Sequence, residues 1–158
     1  MPDDLDATFD AAMVAAIDEA HAALAHGDVP IGAVVVRLET GEIVARRHNE
    51  RELASDPTAH AEVLALRDAA RAVGSWRLSE YALVVTLEPC AMCAGAAVSA
   101  RIGAVAFGAA DPKAGALGTL YHLGADPRLN HEFPTRAGLR GEQCGALLRE
   151  FFVSRRQR

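Results

Sequence analysis

Tyr81-Ala82-Leu83-Val84-Val85-Thr86-Leu87-Glu88-Pro89-Cys90-Ala91-Met92-Cys93-Ala94-Gly95-Ala96-Ala97-Val98 is the stretch on which the architecture turns. Tyr81 to Leu87 is an apolar run rich in β-branched residues and reads as a buried strand. The small, apolar residues from Ala91 to Ala100 read as a helix, and Ile102 to Gly108 as another strand. Strand, helix, strand in that order is the unit from which parallel sheets are built.

Working outward, Asp56-Pro57 predicts a helix start, because Asp caps well and Pro suits the first helical position. That helix is expected to run to Val73 and stop at Gly74. Ile31–Leu38 and Ile43–Arg47 read as two strands joined by the turn Glu39-Thr40-Gly41-Glu42, a hairpin. Phe9 to His26 is Ala-rich, with Met13, Val14, Ile17, Ala20 and Leu24 at amphipathic-helix spacing, and ends before Gly27. On the other side, Ala109–Gly118 is a loop of small residues, with a short helix expected near Leu117–Leu123. Glu132–Arg136 is at best an edge strand, because Pro134 cannot donate to a ladder. Glu142–Val153 closes the chain as a helix, with Leu147, Leu148, Phe151 and Phe152 expected to face inward. The alternation predicts an α/β fold with a mostly parallel sheet and helices on both faces.

The 158 residues, 51% hydrophobic, suit one domain spanning 1–158. Residues 1–8, acidic, and 154–158, basic, are expected to be loose ends. No apolar run approaches the roughly 18 residues of a membrane span. The N-terminus is acidic where a secretory signal is basic, so a cytoplasmic protein is expected. Three cysteines, two of them in one tight motif, favour metal or redox chemistry over disulfides. The net charge is −5, but residues 1–42 hold nine acids and one base, whereas residues 111–158 hold eight bases and five acids. A local cationic patch, not the total, decides phosphate binding. Lys113, Arg128, His131, Arg136, Arg149, Arg155 and Arg156 are the candidates for such contacts.

His60-Ala61-Glu62 and Pro89-Cys90-Ala91-Met92-Cys93 each stand near the start of a predicted helix. Cys90 and Cys93 are three apart and share a helix face. With His60 they make a three-ligand set. Zinc prefers four ligands, so a three-ligand set leaves a place for water, the pattern of a catalytic site. Zinc lowers the pKa of that water toward about 7, and Glu62 is placed to take its proton as general base. Cys144 reads as a core cysteine. His21, His26, His48 and His122 lack ligand spacing and read as surface or packing residues, a reading His131 shares with its candidacy for phosphate contact.

His-x-Glu followed by Pro-Cys-x-x-Cys resembles the signature of zinc deaminases acting on nucleobases. Further stretches carry a more specific likeness: Asp28 to Val34, Asp56 to Glu62, Val85 to Ala96, Phe107 to Ala116, Asn130-His131, and the C-terminal Cys-Gly-Ala-Leu-Leu-Arg-Glu-Phe-Phe. Together they resemble the bacterial tRNA-specific adenosine deaminases. The resemblance implies a cytidine-deaminase-like, three-layer α/β/α sandwich around a five-stranded mixed sheet. It implies one zinc per subunit, a homodimer, and conversion of adenosine to inosine at the wobble position (34) of an arginine tRNA, recognised at its anticodon stem-loop. Asn49 matches the residue that contacts the flipped base. Val29, Ala59, Leu87 and Glu88, with Asp111 and Lys113 of the Asp-Pro-Lys-Ala-Gly-Ala loop, are expected at the substrate, and Glu88 could instead orient a zinc ligand or a dimer contact. Two positions depart from the pattern: Pro134 interrupts a usually regular last strand, and His48 replaces a usual Trp or Gly. Two other readings share these residues: deamination of a free guanine- or cytosine-type base or nucleotide, and a zinc-stabilised RNA-binding subunit without activity.

Overall fold

The structure, a computed structural model, describes residues 3–157. One five-stranded sheet has the order β2-β1-β3-β4-β5. Its strands are β1 (Gly32–Arg37), β2 (Ile43–His48), β3 (Tyr81–Leu87), β4 (Ala104–Ala109) and β5 (Thr135–Arg136). The pairs β1–β2 and β1–β3 are antiparallel, while β3–β4 and β4–β5 are parallel. The sheet is therefore mixed, as the resemblance implies, and not mostly parallel as alternation alone suggests. The difference lies in the β1–β2 hairpin, which enters the sheet against β3.

Residues alternate across β1, β3 and β4, and both faces are covered. Ala33, Val35, Leu83, Val85, Val105 and Phe107 pack on one side against α3 (Ala61–Val73) and α4 (Ala91–Ser99). Val34, Val36, Val84 and Ala106 pack on the other against α1 (Asp3–Ala23) and α5 (Gly141–Arg156). These are the three layers of an α/β/α sandwich, and strands buried on both faces explain the nearly unbroken apolar runs. Gly32 permits a close crossing: a Cβ there would collide with the backbone of Ala16 and Ala20 in α1.

Several boundaries differ from expectation. The first helix begins at Asp3 and not Phe9, so residues 3–8 of the expected loose end are helical, while residues 1 and 2 lie outside the described residues. Within it, Met13 and Ile17 are buried but Val14 is exposed, as is Leu24 in the following 3-10 turn. α5 continues to Arg156, through most of the expected tail; residue 158 lies outside the described residues. Phe152 is exposed and Phe151 only half-buried, because the end of α5 runs past the sheet.

Asp56-Pro57 does not open a helix. The Asp56 carboxylate accepts from the backbone N–H and hydroxyl of Thr58, closing a turn, and α3 starts at Ala61. A short helix α2 (Arg51–Ala54) precedes that turn. The helix expected near Leu117 is an isolated bridge from Leu117 to His122 followed by a 3-10 turn at Leu123–Ala125. β5 is the short edge strand expected, beginning just after Pro134. Among the described residues no helix is long and apolar enough to cross a membrane.

Candidate active site

His60 is the residue that caps α3, and Cys90 the one that caps α4; both have extended backbone and precede the first helical turn. The two helices thus point their N-termini at one spot, each bringing partial positive charge. Glu62 and Cys93 follow in the first turns. The ligand atoms of His60, Cys90 and Cys93 lie within 4.8 Å of one another. His60 presents Nδ1, 3.7 Å from Cys90 Sγ and 3.5 Å from Cys93 Sγ. A tetrahedral zinc with sulfur at about 2.3 Å and nitrogen at about 2.0–2.1 Å sets sulfur–nitrogen edges of about 3.6 Å. The donor types and the spacing fit such an ion.

The electrostatics point the same way. Cys90 is pulled down to about 3, because its sulfur accepts hydrogen bonds from Cys93 and from His60. Cys93 moves up, through its hydrogen bond to that thiolate, burial and the nearby Glu62 charge. His60 is raised, first by its bond to Cys90. Burial pushes Glu62 up, its side chain being only 4% exposed. Two sulfurs and a carboxylate this close cannot all ionise without a cation between them. A zinc ion between them would supply that charge and keep both thiols deprotonated.

Asn49 is buried, and its Oδ1 accepts from the Ala61 N–H at 2.9 Å, fastening the end of β2 to the first turn of α3. Ala59 is buried one residue before His60. Val29, Leu87, Asp111 and Lys113 line a cavity of about 990 Å³. The far wall is α5, including Leu148, Arg149, Phe152, Arg155 and Arg156. His60, Glu62, Cys90 and Cys93 are absent from its wall.

Glu88 is bound to a loop. Its carboxylate is buried and accepts from the backbone N–H groups of Asp111, Leu117 and Thr119 and from the Thr119 hydroxyl. It organises the 109–119 loop and, through Asp111, backs the cavity wall. Gly115 packs against it so closely that a Cβ would overlap the carboxylate.

The cationic candidates divide. Lys113, Arg149, Arg155 and Arg156 share the cavity. Arg128 forks onto Asp126 at 2.9 and 2.7 Å, and Arg136 pairs with Asp6. His131 turns inward, its Nε2 donating to the Ile102 carbonyl at 2.7 Å. Arg149 bonds Glu142, and Arg155 donates to the Gly27 carbonyl. Sequence reasoning missed Phe152 and Leu148 as cavity wall. Their apolar spacing is that of a core face, and only the overhang of α5 shows otherwise.

Residues 8–156 match the MafB19-like deaminase family. The tRNA-specific adenosine deaminase of Bacillus subtilis (strain 168) is 49% identical over 146 residues, 92% of this chain and 89% of that protein. A solved structure from biochemical and structural studies of A-to-I editing by tRNA:A34 deaminases superposes with TM-score 0.83 at 39% identity, over 87% of this chain and 99% of the other. The guanine deaminase of Nitrosomonas europaea superposes with TM-score 0.76 at 25% identity, over 96% and 93%. The fold, the placement of the two motifs and these likenesses agree: the chain belongs to the MafB19-like deaminase family, among the tRNA-specific adenosine deaminases.

Proposed function

We propose that this protein hydrolyses the 6-amino group of adenosine at the wobble position of a tRNA, giving inosine and ammonia, with an arginine tRNA as substrate. The observation that carries this reading is the convergence of His60, Cys90 and Cys93 beside the buried carboxylate of Glu62. In this reading His60 Nδ1 and the two sulfurs hold one zinc per subunit, which when bound supplies an acidified, polarised water. The Glu62 carboxylate accepts a proton from the attacking water. It returns that proton to the ring nitrogen beside the attacked carbon, and passes the second to the departing amine. Burial suits it to this exchange, because raising a carboxyl's pKa brings it toward the range where protons move both ways.

Asn49 has its Oδ1 committed to α3, which leaves its amide N–H groups to face the base. The cavity, with Lys113, Arg149, Arg155 and Arg156 on its walls, takes the nucleotides flanking the extruded base. An anticodon loop suits such a site, because its bases are already partly unstacked and flipping one costs little. A homodimer in the cytoplasm is the setting we assign, the exposed Leu120, Tyr121 and Met92 near α4 offering apolar surface to a second copy.

The test is nucleoside analysis of a tRNA transcript bearing adenosine 34, treated with the protein with and without a chelator, alongside free adenosine, guanine and cytidine. Inosine formed only in the tRNA, lost on chelation and restored by zinc, is the expected result. The likeness to a guanine deaminase favours a second reading, conversion of a free purine base. Guanine turned over with the tRNA left unchanged would replace the first reading by the second.

A further inference from the structure

Away from the trio, two histidines face each other. His26 lies in the 3-10 turn after α1, and His48 is the last residue of β2. Their Nε2 atoms are 3.1 Å apart and the ring centroids 5.2 Å apart. Each ring keeps its other nitrogen on a carboxylate: His26 Nδ1 is 2.6 Å from Asp28 Oδ2, and His48 Nδ1 is 3.0 Å from Glu19 Oε1. Asp28 is 1% exposed and Glu19 18%, with the rings at 17% and 20%.

Counting protons shows that this array is one cation short. An ionised carboxylate only accepts hydrogen bonds, so each Nδ1 must carry a proton. A neutral imidazole has one proton to give. Both Nε2 atoms then present bare lone pairs to each other at 3.1 Å. The carboxylates do not resolve this by taking up protons. The Asp28 carboxylate is already an acceptor for the Glu52 and Leu53 N–H groups, at 2.8 and 3.2 Å. Glu19 likewise accepts from the Arg46 guanidinium at 3.0 Å, a charged partner that favours the carboxylate.

The spacing suits an ion bound to both rings. Two nitrogens 3.1 Å apart, each about 2.0–2.1 Å from one metal, subtend about 100° at it, between octahedral and tetrahedral angles. Histidines that bind metal almost always donate their second N–H to a carboxylate or carbonyl, which fixes tautomer and ring orientation. Here both outer carboxylates are already placed. We propose that His26 and His48 form a second divalent-metal site, separate from His60, Cys90 and Cys93, that takes zinc through the two Nε2 atoms with water completing the shell. An ion there ties the end of α1 to the end of β2, next to Asn49. It also braces Asp28, whose carboxylate anchors the Glu52 and Leu53 N–H groups of α2.

The experiment is calorimetric titration of Zn²⁺ into protein that already holds one zinc equivalent, with anomalous diffraction to place the ion in the wild-type chain. One further equivalent at His26 and His48 is expected, and a Tm that rises with zinc concentration. His26→Ala and His48→Ala should each lose the second equivalent and keep the first, which also reports that they are folded. Glu19→Gln should weaken the second by about 10–100-fold, while exposed His21→Ala leaves it unchanged. The proposal is overturned if the wild-type chain takes up no second equivalent, its imidazole NMR then showing one shared proton between the rings. It is equally overturned if a second equivalent persists in both histidine variants or diffracts from another position.

Discussion

In the proposed reaction Glu62 carries the protons, and it stands in the first turn of α3 without being one of the three metal-ligand candidates. Glu62→Gln keeps the shape and removes the proton carrier. Zinc content and tRNA affinity should stay near wild type while kcat falls by about 10²–10⁴; metal analysis, a binding titration and single-turnover kinetics together check this. Cys90→Ser should instead lose zinc and activity together, because a hydroxyl is a far poorer zinc ligand than a thiolate. The grouping of His60, Cys90 and Cys93 was legible in the sequence because the two motifs are short and local, and a three-ligand zinc set is chemically distinctive. Glu88 was not legible. The family resemblance places it at the substrate, a zinc ligand or a dimer contact, and nothing in the sequence says that its carboxylate turns toward Asp111, Leu117 and Thr119. His131 hides its role likewise, since its partner is the carbonyl of Ile102, 29 residues away.

Elements were read well where an apolar period ran uninterrupted: β3 matches its expected bounds residue for residue, and α4 to within one. They were misread where a side chain serves a turn instead of a helix. Asp56 has the composition of a helix cap, yet it spends its carboxylate on Thr58, and the helix waits for His60. The loop 109–119 depends on one buried acid, so Glu88→Ala should cost about 2–4 kcal/mol by stranding several donors, measured by urea unfolding. Its kinetic mark should be a raised KM more than a lowered kcat. Asp28 does the same for α2, and because folding lowers its pKa below 3.8, its stabilisation is complete above that pH. It fades as pH drops through the lower, folded value. The stability gap between wild type and Asp28→Asn should therefore be flat above about pH 4 and narrow below it, as denaturant unfolding across pH will show.

At the scale of the whole molecule, the seven cations singled out in the sequence do not form one surface. Salt bridging takes Arg128 and Arg136 elsewhere, and Lys113, Arg149, Arg155 and Arg156 remain around one groove. If all four neutralise phosphates, the slope of log affinity against log salt should be about −3, using the single-strand coefficient. Arg156→Ala should flatten it by about 0.7, and Arg128→Ala should leave it unchanged. The sequence showed the charge bias of the last third but not its geometry, because ion-pair partners such as Asp6 and Arg136 lie 130 residues apart. The separation of the trio from the groove has a further consequence. The proposed reactive groups stand in the leading turns of two helices packed on one side of the sheet, while one wall of the groove is the terminal helix on the opposite side. Selectivity can therefore drift, or be re-engineered by rewriting that last helix, with the reactive apparatus left intact.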